Sequence, residues 1–273
     1  MPVIAITREM GSLGKDVAAG LGEAIGVPVI YHELIDQLAD RMRVRKSHVI
    51  RLLDGKAGLL ERMTADKTSL FVHSADEIVS MALRGKGAVI RGWGANHLLR
   101  GVRHVVCVRV CAPFEVRRQR MLERLDTEDA ARVTDEIQMN DEAQTAIMRR
   151  HFDVQWTDSE HYDLVLNTQR ISPQQCVDEV LRIVQSEKFS ETEASRKQLE
   201  DLALSMRVRA AFRHSPEARS IRAMVSADAG RVTLSGCSTA EMLALMEVAA
   251  AVQGVRDVVY REQPEDAASA QKH

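Results

Sequence analysis

The chain has 273 residues, 45% of them hydrophobic and 28% charged, with a formal net charge of −2. That length accommodates one sizeable core plus a smaller second domain, at roughly 100–200 residues per domain. The charge is nearly balanced on both sides of Ser186, which excludes a polybasic arm and argues against a nucleic-acid partner.

Met1 to Thr7 lacks the basic start and long apolar core of a signal peptide. The longest apolar stretch, Val105 to Ala112, is broken by Arg109 and is far too short for a membrane span. The expected location is cytoplasmic, with no transmembrane segment. Cys107, Cys111, Cys176 and Cys237 show no CxxC spacing, so they read as small buried hydrophobes rather than as a disulfide framework or a zinc site.

Val3 to Thr7 predicts a strand, followed by Gly11 and Gly14 and a helix from Lys15 to Ile25 that stops at Gly26. Val27 to Tyr31 reads as a second strand, and a helical region runs from about Glu33 to Leu83 with a break near Asp54–Gly58. Gly87 to Arg91 and His104 to Cys111 are the third and fourth strands, the former ending in the turn Gly92–Trp93–Gly94. Helices follow over Phe114–Arg124 and Thr127–Asp153, then a fifth strand, Asp163 to Thr168. A last helix starts with Ser172 as N-cap and Pro173 in the first turn. The strands are continuous apolar runs, which predicts an α/β fold with a parallel five-stranded sheet covered by helices on both faces.

The polar run Ser186–Arg196 marks a linker. Beyond it come an amphipathic helix (Leu199–Phe212), two strands (Ile221–Ala227 and Arg231–Ser235) around Asp228–Ala229–Gly230, a helix (Thr239–Val252) and a strand (Val255–Arg261). This is a small α-β-β-α-β unit. The expected domains are 1–186, a linker 187–198, a second domain 199–262 and a disordered tail 263–273.

The segment that carries chemistry runs from Arg8 through Gly11, Ser12, Leu13, Gly14 and Lys15 to Asp16. It joins a strand to a helix, where backbone N–H groups and the positive helix end favour bound phosphate. Gly11 and Gly14 let the chain turn tightly beside phosphate oxygens, and Lys15 is placed to neutralise the β- and γ-phosphates. The motif departs from GxxxxGK[ST]: Glu9 stands where the first Gly belongs, and Asp16 replaces the hydroxyl residue that ligates magnesium. An ordinary Gly-rich turn has the same local appearance.

In its ordered set of motifs the chain resembles the cytidylate-kinase-like family. The matching residues are Ile6 to Lys15, Tyr31 to Ile35, Val89 to Asn96, Ala112 to Arg117, Trp156 to Asp158 and Tyr162 to Thr168, which together cover about residues 2–185. The resemblance implies a P-loop kinase-type domain with ATP and Mg2+ as cofactors, a monophosphate-binding region at about 32–85 and a lid at about 117–153. It assigns Lys15, Arg117 and Arg120 to catalysis. Arg8, Gly11, Ser12, Leu13, Gly14, Lys15, Asp16 and Asn167 go to the nucleotide, Asp16 to the metal, and His32, Arg91, Trp93 and Asn96 to the acceptor.

Arg117, Arg120 and Arg124 share one helix face, which suits either a phosphate clamp or a solvated charged face. Three departures stand out. His32 occupies a usually acidic position, Trp93 replaces an arginine, and Asp141 is followed three residues later by Gln144 instead of arginine. Arg91 and Arg149 are the candidates to replace the missing guanidiniums. His73, His97, His104 and His151 show no metal-ligand spacing. Trp93 reads either as a base-stacking ring or as packing.

Residues 199–262 resemble a BON domain, chiefly through Gly230 to Gly236 and Gly254-Val255 with Val258. That implies a binding module for a second ligand, or for docking and self-association. The leading expectation is ATP-dependent phosphoryl transfer to a nucleoside monophosphate such as CMP or dCMP. The alternative is a catalytically weak nucleotide-binding regulator whose BON-like domain binds a ligand or partner, and a third reading keeps the P-loop fold only as a scaffold.

Overall fold

The computed structural model describes residues 1–42, 44–47, 49, 67–92 and 94–261, and the chain divides into two compact units, Met1–Ser195 and Arg196–His273. The first unit runs β1 (Val3–Arg8), α1 (Gly14–Ile25), β2 (Val29–Ile30), α2 (His32–Met42), α3 (Lys67–Leu83), β3 (Ala88–Arg91) and α4 (Ala95–Leu99). It continues with β4 (Val105–Cys111), α5 (Phe114–Leu125), α6 (Ala130–Phe152), β5 (Leu164–Asn167) and α7 (Pro173–Val184).

All five strands are parallel, in the order β2-β3-β1-β4-β5. Ile4, Ile6, Val89, Val106, Val108 and Leu166 from the sheet pack with Val17, Leu21 and Val177 from the helices in one core. Because the strands are parallel, their carboxyl ends share one edge. Strand order reverses at β1, and such a switch point opens a crevice for ligand.

Local chemistry sets the element ends. Gly26 closes α1 in the left-handed region, its N–H bonding back to the last turn. Ser172 caps α7 in a reciprocal box with Gln175, and Pro173 occupies the first turn as predicted. The second strand is shorter than the Val27–Tyr31 expectation. Pro28 has no N–H to give a ladder, although its carbonyl still accepts from Val89 at 3.0 Å. The predicted break at Asp54–Gly58, Trp93 and the tail 263–273 lie outside the described residues. The four cysteines are unpaired.

The segment expected as a linker, 187–198, holds a 3-10 turn at Glu187–Phe189 and the start of α8 (Glu193–His214). Thr192 and Ser195 exchange side-chain and backbone hydrogen bonds there and cap the helix. Those polar residues are therefore a helix start as well as a composition break.

The second unit continues with β6 (Met224–Asp228), β7 (Arg231–Ser235), α9 (Thr239–Ala250) and β8 (Asp257–Tyr260). Its sheet order is β6-β7-β8, antiparallel then parallel. The hairpin turns through Ala229 and Gly230, both at positive φ, which is the tight-turn geometry the Asp-Ala-Gly signal predicts. Val208, Phe212, Val232, Leu234, Leu245 and Ala249 form its core. The α-β-β-α-β order matches the expectation. No described helix is long and apolar enough to cross a membrane.

Candidate functional site

β1 ends at the switch point, and the chain reaches α1 through Glu9 to Leu13. Gly11 lies at φ 79° against α5, where an added Cβ would stand 2.7 Å from the Arg117 carbonyl oxygen. Gly14 opens α1 so close to β1 that its Cβ would meet the Arg8 Cβ at 2.6 Å. Leu13 holds φ 60° without being glycine, a conformation that costs an L side chain roughly 1–2 kcal/mol. The motif gave no warning of this strain. Lys15 and Asp16 are exposed in the first turn of α1, where backbone N–H groups lack upstream partners. Ser12 is fully buried. Its carbonyl accepts from the Thr168 hydroxyl at 2.9 Å, and its own hydroxyl has no hydrogen-bond partner among the described residues.

Gly11 gives a sharp test of this packing. Gly11→Ala should destabilise the first unit by about 2–3 kcal/mol, because the obstructing atoms are mostly backbone and cannot rotate away. Denaturant unfolding of the variant checks this.

Glu9, at the missing first glycine, is buried and does the holding. It accepts from Arg109 at 2.6 Å and from the Ala112 N–H at 3.1 Å, and it faces Arg117 Nε at 3.5 Å. Arg117 is 6% exposed and forks onto Asp141 of α6 at 3.2 and 2.9 Å. Burial pushes the Asp141 carboxyl up from its usual range, against the pull of Arg117. Arg120 donates to the Thr168 hydroxyl at 2.9 Å and its carbonyl at 2.7 Å, and reaches the Gly11 carbonyl at 3.5 Å.

Arg117 and Arg120, assigned to catalysis from the resemblance, therefore spend their donors on the loop and its supports. Sequence reasoning missed Arg109 as a member of this network. The signal was its interruption of the apolar run Val105–Ala112: a charge inside a buried strand requires a partner.

Other assigned residues fall in distinct places. Arg91 ends β3, is 7% exposed, and lies 4.0 Å over the Tyr31 ring. Asn96 is 1% exposed and accepts the Thr7 hydroxyl at 2.8 Å, which fixes it as a brace inside the core. His32 opens α2. Asn167, with Gln169, Arg170, Ile171 and Gln175, lines an open cavity of about 460 Å³ beyond β5. Among the described residues no three His, Cys, Asp or Glu side chains gather as a metal cluster.

The far end of α6 is held by rings. Phe71 stacks on His151 at 3.9 Å, and His97 lies 5.2 Å from Phe152 and 5.1 Å from His161. Burial, His161 and Arg100 push His97 down to about 4 from 6.5. The unfolded chain thus takes a proton that the folded one refuses, and stability is lost as pH falls from 6.5 toward 4. The loss has an upper bound of about 3.4 kcal/mol, lowered by solvent screening because the ring is only partly buried. Urea unfolding at several pH values should show this acid slope in the wild type and a flatter one in His97→Phe.

A parallel sheet with a glycine-rich phosphate loop at its switch point defines a P-loop protein of the kinase type. Residues 3–170 match the cytidylate kinase-like family, and the chain belongs to that family. An uncharacterized protein from Eubacterium ventriosum has the same fold, with TM-score 0.54 and 19% identity over 68% of this chain and 100% of that one. Shikimate kinase from Bacteroides thetaiotaomicron follows at TM-score 0.44 and 14% identity over 68% and 99% of the two chains. Shikimate kinase from Acinetobacter baumannii, in complex with shikimate, stands at TM-score 0.42 and 16% identity over 70% and 96%. No curated protein matches the chain.

Proposed function

We propose that the first unit transfers the γ-phosphoryl group of ATP to a nucleoside monophosphate of the CMP or dCMP kind. The observation that carries this reading is the loop itself. Gly11 and Gly14 are packed so tightly that no side chain fits, and they lead directly into a helix start with Lys15 exposed. Membership of the family supports the same class of chemistry.

In this mechanism the N–H groups at the start of α1 and the Lys15 ammonium hold the β- and γ-phosphates. Lys15 then neutralises charge that grows on the transferring group. Positioning and electrostatics supply most of the rate. Glu9, Arg117 and Arg120 act indirectly, keeping the loop in shape before substrate arrives. One exposed carboxylate, Asp16, fits a magnesium ion that comes with the polyphosphate and keeps several waters, rather than an ion caged by the protein. Bound there, magnesium would offset phosphate charge. Asn167 and the cavity beside it suit the nucleoside end of ATP.

A second reading has a specific observation in its favour. With Arg117 and Arg120 engaged by Asp141 and Thr168, fewer guanidiniums are left to stabilise transfer. That suits a nucleotide-binding regulator whose second unit, BON-like over 199–262, binds a ligand or partner. The experiment is magnesium-dependent phosphorylation of CMP, dCMP, UMP and AMP by the full chain, with Lys15→Ala as control. Lys15-dependent transfer to one acceptor supports the kinase. ATP binding without transfer to any of them sinks it and leaves the regulator.

A further inference from the structure

We propose that Thr168 is a positioning residue for the phosphate loop: its hydroxyl latches the Ser12–Leu13 peptide in the orientation that receives phosphate. The assignment rests on the transfer reading above, whose donor nucleotide the loop would hold.

Thr168 follows β5 and is 2% exposed. Its N–H donates to the Cys111 carbonyl at 2.9 Å, which ties it to the end of β4. Its hydroxyl has one proton to donate and two lone pairs to accept with. Arg120 donates to that oxygen at 2.9 Å and to the Thr168 carbonyl at 2.7 Å. The hydroxyl proton is thereby directed at a carbonyl, and that of Ser12 at 2.9 Å is nearer than that of Cys111 at 3.4 Å. Ser12 is held through its backbone, its N–H on the Glu9 carbonyl at 3.2 Å and its carbonyl on Thr168. Its own hydroxyl has no hydrogen-bond partner among the described residues.

The peptide plane carries this contact to the ligand. In a trans peptide the C=O of one residue and the N–H of the next point to opposite sides. With the Ser12 carbonyl turned inward onto buried Thr168, the Leu13 N–H turns outward, beside the first N–H groups of α1. Leu13 at φ 60° followed by Gly14, the first residue of α1, is a left-handed then right-handed pair. Such pairs form the backbone concavity that gathers N–H groups around an anion. The arrangement strains Leu13, and turning the Ser12–Leu13 peptide over would relieve that strain by carrying φ out of the left-handed region. The same flip would swing a carbonyl oxygen toward the phosphate. Thr168 opposes it, because the flip gives up the hydroxyl's bond to Ser12.

The test is calorimetric titration of the full chain with ATP and, separately, with inorganic tripolyphosphate, both with magnesium. Thr168→Val keeps the shape and loses the hydroxyl. It should weaken both probes by about tenfold, since the lost bond and the released strain together leave only a minor share of chains ready for the anion. Thr168→Ser keeps the hydroxyl and should bind both within about threefold of wild type. Leu13→Gly added to Thr168→Val removes the penalty on positive φ and should restore most of the lost affinity. That rescue could not occur in a chain that had merely failed to fold.

Unchanged affinities in Thr168→Val, beside a wild type that binds both probes, overturn the latch and leave the P-loop reading intact. Loss of ATP binding alone also overturns it, placing the effect at the cavity that Asn167 and Gln169 line. So does a loss that Leu13→Gly fails to restore. A wild type that binds neither probe removes the transfer reading and the latch with it.

Discussion

Lys15→Ala should lower ATP affinity and any phosphoryl transfer by on the order of 10²-fold, the scale on which removing one preorganised charge or donor from a transfer site acts. Lys15 is exposed in the first turn of α1, so truncation removes no core contact and thermal unfolding should stay within about 0.5 kcal/mol of wild type. Calorimetric titration with ATP and magnesium, beside a melting curve, separates the two effects. Lost affinity with an intact fold is the signature of a phosphate-binding lysine. Unchanged affinity would mean that the glycine-rich turn is only a strand-to-helix connection.

Most of the first unit was legible in the sequence because its central parallel strands are buried on both faces. Val3 to Thr7, His104 to Cys111 and Asp163 to Thr168 read as largely apolar runs, and the structure puts strands there with ends shifted by one residue at most. Ser172 and Pro173 announced their helix by capping chemistry, which is local and needs no tertiary context.

The site was less legible, because charge partners lie far apart in the chain. Glu9 meets Arg109 across 100 residues, and Thr168 meets Ser12 across 156. A spacing rule can put Arg117, Arg120 and Arg124 on one face; it cannot tell which of them is taken by Asp141, which by Thr168, and which is left exposed. The left-handed Leu13 was invisible for a related reason, since a single non-glycine residue at positive φ is set by its surroundings.

Arg117→Ala should be the most destabilising change in the first unit, costing about 3–5 kcal/mol. Asp141 would lose its ion-pair partner, and Glu9, mostly buried, would keep only Arg109 as a counter-charge. Both tryptophans, Trp93 and Trp156, lie in this unit, so their fluorescence during urea unfolding reads its stability alone.

Asp141→Asn should cost much less, within about 1 kcal/mol at neutral pH. Its amide oxygen still accepts from Arg117, and the burial cost of the charge disappears. The raised Asp141 carboxyl gives the same sign: the folded chain binds its proton more tightly than the unfolded chain does, so this group favours folding at acid pH and less as pH rises through its titration. If the two variants lose equal stability, the ion pair itself holds α6. If Arg117→Ala loses far more, the arginine's main work is to neutralise Glu9 inside the phosphate loop. The second outcome is the one the geometry favours, since Glu9 is only 8% exposed and Arg117 reaches both it and Asp141. The loop would then owe its ready-made shape to a buried carboxylate standing where the common motif has glycine.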